Sequence, residues 1–103
     1  MIRVTVLYPA AEGATFDMDY YLNKHCPMVR EVLGGVLQSL TVDKGISGPL
    51  PGSPAPFTVL CHLVFESPES FLGAMMQHGG RIMEDIPNYT SVSPTIQVSE
   101  ILP

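Results

Sequence analysis

FTVLCHLVF, residues 57–65, is the stretch on which the fold turns. In an extended chain Phe57, Val59, Cys61, Leu63 and Phe65 fall on one side, and Thr58, Leu60, His62 and Val64 on the other. The aromatic and β-branched content predicts a strand. Both sides are largely apolar, so the strand needs cover on both faces. One cover has to come from the chain's own helices, and the sequence on either side of the strand says where they lie.

Downstream, Ser67 followed by Pro68 is a helix start, a capping hydroxyl and then a proline at the first helical position. Glu69 adds negative charge to the first turn. The periodicity predicts a helix through Phe71, Leu72, Met75 and Met76 that stops at Gly79-Gly80, with His78 at its C-terminus. A short helical piece follows over 81–85, where Glu84 and Asp85 read as a solvated helix end. Residues 95–102 read as a last strand. Upstream, residues 36–46 alternate as a strand, and SGPLPGSPAP (47–56) is a Pro/Gly-rich loop long enough to be functional or mobile. Ile2, Val4, Val6 and Tyr8 share one face of an N-terminal strand. Asp17 can cap a helix running toward Leu33, where Gly34-Gly35 ends it.

The order is β-α-β-β-α-β, the ferredoxin-like α+β unit on a four-stranded antiparallel sheet. Two helices cover one sheet face. A second copy of the chain would cover the other, closing a two-chain α/β barrel. The 103 residues suit a single domain spanning 1–103. Charged residues make up 15% of the chain, against roughly 25% in an ordinary soluble domain. That low charge is consistent with area hidden in a homodimer.

Net charge is −5, and the five bases, Arg3, Lys24, Arg30, Lys44 and Arg81, are scattered. No basic stripe tracks a phosphate backbone, so no nucleic-acid partner is expected. No run approaches the ~20 apolar residues that span a bilayer, so no membrane partner is expected. Cys26 and Cys61 are too few for a disulfide framework and form no CxxC. They read as reduced, buried thiols. MIRVTVLYPA reads as a strand rather than a secretory leader. A cytoplasmic protein is the expectation.

The chemistry concentrates in YYLNKHCPM, residues 20–28. On a helix Asp17, Tyr21, His25 and Met28 fall in one row, with Tyr20 and Lys24 beside it. Pro27 lacks an amide donor and presses on the carbonyl of Asn23. It also biases Cys26 away from helical geometry. The expectation is a break or kink near His25-Cys26, with Pro27 opening a second helical segment through Leu33, which turns His25 toward a pocket. There the imidazole would serve as general acid or base, and Tyr21 as hydrogen-bond donor to a developing negative charge. The competing reading makes His25 a helix-end group bonding a free carbonyl. Tyr20, Met28, His62 and Tyr89 complete the candidate substrate contacts, with Tyr89 near the mouth of the pocket. His62 could line the barrel interior but reads slightly better as a satisfied core histidine. No orienting group for His25 is evident, and no histidine spacing fits a metal site. No cofactor is expected.

FDMDYYLNKHCPMV, with IPNYTSVSPTIQVSEI toward the C-terminus, resembles the EthD family, named for a protein of ethyl tert-butyl ether degradation loci. Tyr20, Tyr21, His25 and Pro27 carry the N-terminal signature, and PNYT (87–90) with PTIQVSE (94–100) the C-terminal one. The resemblance implies a dimeric α/β barrel with a small-molecule cavity between sheet and helices. Fold relatives include cofactor-independent monooxygenases, cyclases, muconolactone isomerases and haem-degrading enzymes. Members are described loosely as oxidoreductases. Cys26 stands where the family commonly has a hydrophobic residue, which implies packing rather than thiol chemistry.

Two functions fit. One is an enzyme acting on a small, mostly apolar organic molecule in catabolism or secondary metabolism. It would be a cofactor-independent oxidoreductase, cyclase or isomerase using His25 for proton transfer. The other is a non-catalytic accessory or carrier protein supporting a partner oxygenase. Haem ligation by His25 or His62 is a third alternative.

Overall fold

Strand 57–65 lies inside the sheet, and every other element is placed by it. In the computed structural model, which describes residues 1–103, β1 (Ile2–Pro9), β2 (Ser39–Lys44), β3 (Phe57–Phe65) and β4 (Thr95–Glu100) form one antiparallel sheet in the order β2-β3-β1-β4. α1 (Met18–Tyr20), a π turn (Tyr21–His25) and α2 (Cys26–Leu33) form the first helical rod. α3 (Pro68–Glu84) forms the second. The fold is the ferredoxin-like α+β unit.

The alternation in the sequence sets the two sheet faces. Ile2, Val4 and Tyr8 of β1 and Val59, Cys61, Leu63 and Phe65 of β3 point at the helices and are buried. They join Tyr21, Cys26, Val29, Leu33, Ala74 and Tyr89 in one core cluster. The opposite face carries Leu7, Leu60 and Val64 among polar residues, and β3 is only half-buried there. Register makes neighbours of Leu7 and Leu60, and of Thr5 and His62.

The caps fall where expected. The Asp17 side chain accepts from the Tyr20 N–H at 3.0 Å, and the Ser67 hydroxyl accepts from the Ser70 N–H at 3.1 Å. α2 ends at Leu33, and Gly34 takes φ +55°, a conformation open to glycine.

Four expectations are corrected. α3 passes through Gly79-Gly80 and stops at Glu84, so His78 is mid-helix rather than terminal. Each glycine costs about 1 kcal/mol of helix propensity, and packing of Ile82 against the core cluster offsets it. At His25-Cys26 there is no break: a π turn leads into the second helical segment, which has Pro27 in its first turn and runs through Leu33 as expected. The chain keeps helical angles through Cys26 (φ −61°, ψ −42°), and the Cys26 N–H bonds the Tyr21 carbonyl five residues back. The wider turn absorbs the proline without interrupting the rod. Residues 34–36 form a 3-10 turn, so β2 is shorter than the alternation from 36 to 46. β4 ends at Glu100, not Leu102.

No helix is long and apolar enough to cross a membrane.

Candidate functional site

The π turn has a geometric consequence at once. It brings Tyr21, His25 and Cys26 together onto the buried side of the rod. The rings of Tyr21 and His25 stack 5.4 Å apart at 16°. Both face a chamber of about 80 Å³ between sheet and helices. Its lining includes Val4, Val6, Tyr8, Cys61, Leu63, Phe71 and Met75, and His25 is the one lining residue outside the apolar class. Met83 and Ile96 line it too but stay about half exposed, and they mark its mouth.

The segment after α3 supplies what the first rod lacks. Residues 85–91 are tied to 15–17 by main-chain and hydroxyl bonds. The Asp17 N–H donates to the Tyr89 carbonyl at 2.7 Å, and the Thr90 hydroxyl to the Thr15 carbonyl at 2.8 Å. A bridge between Phe16 and Thr90 completes the clamp. It presents Asp85 and Tyr89 to His25.

Asp85 Oδ2 lies 2.8 Å from His25 Nδ1. Its other oxygen accepts from the Tyr20 hydroxyl at 2.7 Å and the Asn88 amide at 3.0 Å. Burial pushes the Asp85 carboxyl up, but the bonds from Tyr20, Asn88 and His25 outweigh it and hold it below the usual range. A carboxylate only accepts, so His25 carries its proton on Nδ1. Burial pulls the imidazole below its usual value, against the opposing pull of Asp85. At neutral pH His25 is therefore an uncharged base with Nε2 as its acceptor. That nitrogen faces the Tyr89 hydroxyl at 3.4 Å, and the Tyr89 hydroxyl meets the Tyr8 hydroxyl at 2.7 Å.

Burial also raises the tyrosines and cysteines of the core above their usual values. It pushes Tyr8 up to about 12 and Cys61 up to about 11, and raises Tyr21, Tyr89 and Cys26 as well. The thiols are lining, not nucleophiles. Tyr8, Phe16, Tyr21 and Tyr89 form one edge-to-face and tilted aromatic cluster around the imidazole, with Tyr89 4.6 Å from His25. Such pairs contribute roughly 0.5–1.5 kcal/mol each beyond their burial, so the base is held in a stiff frame.

Of the residues that the sequence nominates for the site, Tyr21, His25 and Tyr89 come together. Tyr89 is buried behind His25 and does not line the chamber or its mouth. Tyr20 and Met28 lie on an outer cleft shared with Lys24, Arg81, Glu84, Asp85 and Asn88. Tyr20 reaches the site through its bond to Asp85 and through its ring, which stacks 6.3 Å from that of Tyr89. His62 is on the far face of the sheet, where Nε2 meets Asp43 at 3.0 Å and Nδ1 meets Thr5 at 3.5 Å. Both ring nitrogens of His25 and of His62 have partners within the chain. No group of three His, Cys, Asp or Glu side chains converges as a metal site.

Sequence reasoning missed Asp85, read as a solvated helix end, and Tyr8, read only as strand core. Asp85 is 60 residues from His25, and no local spacing connects them. The one signal was its place two residues before the PNYT motif.

The EthD domain family model matches residues 12–93. An EthD-like protein from Ralstonia eutropha JMP134 is 43% identical with a TM-score of 0.94, the match covering 99% of this chain and 92% of that one. An ethyl tert-butyl ether degradation (EthD) family protein from Bacillus halodurans C-125 is 23% identical with a TM-score of 0.77, covering 99% of each chain. An antibiotic biosynthesis monooxygenase is 12% identical with a TM-score of 0.52 over 100% of both chains, a likeness of fold alone. No curated protein matches the chain. The match to the family model, together with a solved relative of that identity along nearly the whole sequence, means that the chain belongs to the EthD family.

Proposed function

We propose that this protein moves a proton on a small, mostly apolar organic molecule held in the chamber, with His25 as the base and no cofactor. One observation carries the reading: a buried, uncharged imidazole, oriented by a carboxylate on Nδ1, lines an otherwise apolar chamber. Base, orienting acid and substrate space are the minimum for general acid–base catalysis. Asp85 fixes the tautomer and stabilises the imidazolium once His25 takes the proton. Tyr21 stacks on the ring and holds its plane.

An isomerase or cyclase fits best among the reactions expected from the sequence, because proton transfer alone suffices and no oxidant has to be supplied. The chamber of about 80 Å³ is smaller than the ~150 Å³ cavity that takes benzene. A ring-sized ligand must therefore also occupy the mouth at Met83 and Ile96.

The working unit under this proposal is a homodimer of the 103-residue domain. The chain exposes 6502 Å², against about 5,700 Å² for a compact monomer of its mass. Its radius of gyration is 14.1 Å, against about 12.8 Å for a globule of this length. It is a slab 19 Å thick whose second sheet face lacks a covering layer. Sedimentation should show the dimer at micromolar concentration.

The activity test needs no known substrate. A set of small enolisable ketones is incubated with the protein in D2O, and loss of the α-proton signal is followed by NMR. Exchange faster than buffer, falling by 10²–10⁴-fold in His25→Gln, is expected for a general base. Equal rates in wild type and His25→Gln across the set overturn the catalytic reading and favour an accessory or carrier role.

A further inference from the structure

The helix layer does not reach the edge of the sheet that it covers. β4 pairs only with β1, at the opposite edge from β2. Ile96 stands across from Val6 and Val98 across from Val4, so both share the face on which Val4 is buried under the helices. α3 packs chiefly against α2 and β3. Ile96 and Val98 are each left 46% exposed. They form an apolar strip that the chain's own helices leave bare, and a homodimer through the far sheet face does not cover it.

The strip is continuous with the chamber. Ile96 belongs to both, and Met83, 49% exposed, lines the same mouth. Val98 lies two residues farther along the strand, about 7 Å on, and outside the chamber lining. The next residue on that face is Glu100, exposed and across from Ile2. This face of β4 thus leads from the mouth over two branched apolar side chains and ends in a negative charge.

The size of the chamber says what lies on the strip. At about 80 Å³ it has roughly half the ~150 Å³ that takes benzene, room for about three or four carbon atoms. Whatever exceeds that passes out between Met83 and Ile96, where hydrocarbon laid on the strip leaves water. Resting on the chamber as the ligand site proposed above, we propose that Ile96 and Val98 form a tail subsite for the same ligand. The ligand class this defines is an elongated carbonyl compound, with a short head in the chamber and a hydrocarbon tail along β4. Glu100 disfavours a tail that ends in an anion. Val98 takes no part in the chemistry and sets the preferred chain length.

The probes are 2-butanone, which the chamber alone can hold, and 2-nonanone, which adds five methylenes. Binding to the whole protein is followed by the NMR shifts of Cys61, in the chamber wall, and of Val98. The subsite predicts that 2-nonanone binds at least tenfold tighter, each methylene buried on the strip adding about twofold to fourfold. Its terminal methyl should give nuclear Overhauser contacts to the Val98 methyls. Val98→Asp should bring 2-nonanone to within threefold of 2-butanone and leave 2-butanone within twofold of its wild-type affinity. Leu50→Asp, at a bare apolar residue on the loop between β2 and β3 and outside the chamber lining, should change neither.

Equal affinity for the two ketones overturns the subsite and leaves the chamber reading standing. So does a length preference that survives Val98→Asp, or a loss on Val98→Asp that both ketones share. Binding of neither ketone overturns the chamber reading and the subsite with it. Val98 shifts that follow protein concentration and ignore 2-nonanone assign the strip to a second copy, which also overturns the subsite. Melting temperature checks the folding of both variants. Should Val98→Asp fail to fold, the methyl contacts in the wild type decide alone, and their absence refutes the subsite.

Discussion

The two faces of the sheet each hold a histidine paired with an aspartate, and the pairs behave differently. On the helix side His25 and Asp85 meet at 2.8 Å with side chains 6% and 18% exposed. On the far side His62 and Asp43 meet at 3.0 Å with side chains 24% and 64% exposed. The contacts are nearly the same length, and water is what separates them. Burial around His25 disfavours its charged form, strengthens the field of Asp85 and leaves the imidazole a base at neutral pH. His62 sits in a shallow, mostly polar hollow with Arg3, Ser39, Thr41 and Val64, where an ion pair is worth about 0–1 kcal/mol. A His–Asp contact becomes chemistry only where the fold dries one side of it and leaves space on the other.

That contrast can be broken most sharply at the buried pair. Asp85→Asn should cut α-proton exchange by about 10²-fold or more by removing the group that fixes and stabilises the imidazolium, whereas Asp43→Asn should leave it within twofold. Equal losses would erase the distinction between the faces.

Next in size is packing. Tyr21 is 1% exposed and touches His25, Tyr8 and Tyr89. Tyr21→Ala should cost about 3–5 kcal/mol, visible as a fall in melting temperature of more than about 12 °C. His62→Gln should stay within about 0.5 kcal/mol in the monomer, and any larger effect should appear in the dimer dissociation constant instead.

Stability against pH gives a finer measure. His25 has a lowered folded-state value, so below its unfolded value of about 6.5 the unfolded chain binds more protons than the folded one. Stability is full above that pH and falls as the solution is acidified through the folded value. Asp85, also lowered, adds a second loss starting near about 4. Urea midpoints between about pH 5 and 8 should therefore drop on the acid side, and His25→Gln should flatten that limb. The smallest effect expected is at a cap remote from both pairs. Ser67→Ala should cost about 1 kcal/mol with no change in exchange rate.

The fold was legible because its signals are local. Alternation in 57–65 marked a strand inside the sheet, and Ser67-Pro68 and Asp17 marked helix starts that the structure uses as caps. The errors came where tertiary packing overrode a local signal. Gly79-Gly80 did not stop α3, because residues beyond it are drawn into the core. Pro27 did not break the first rod, because a π turn accommodated it. At the site, Tyr21 and His25 could be read from their four-residue spacing. Asp85 and Tyr8 could not. Their approach depends on the clamp between 15–17 and 85–91 and on the register of β1, and neither leaves a mark in the neighbouring sequence.

Asp85 stands on the outer cleft with Lys24, Arg81 and Glu84, while the organic molecule would come in past Met83 and Ile96. The imidazole is the partition between these two compartments. Under the proposed reaction a surplus hydrogen ion would leave to water by a different door from the one the greasy ligand would use, and the interior would not have to be wetted to reset the base.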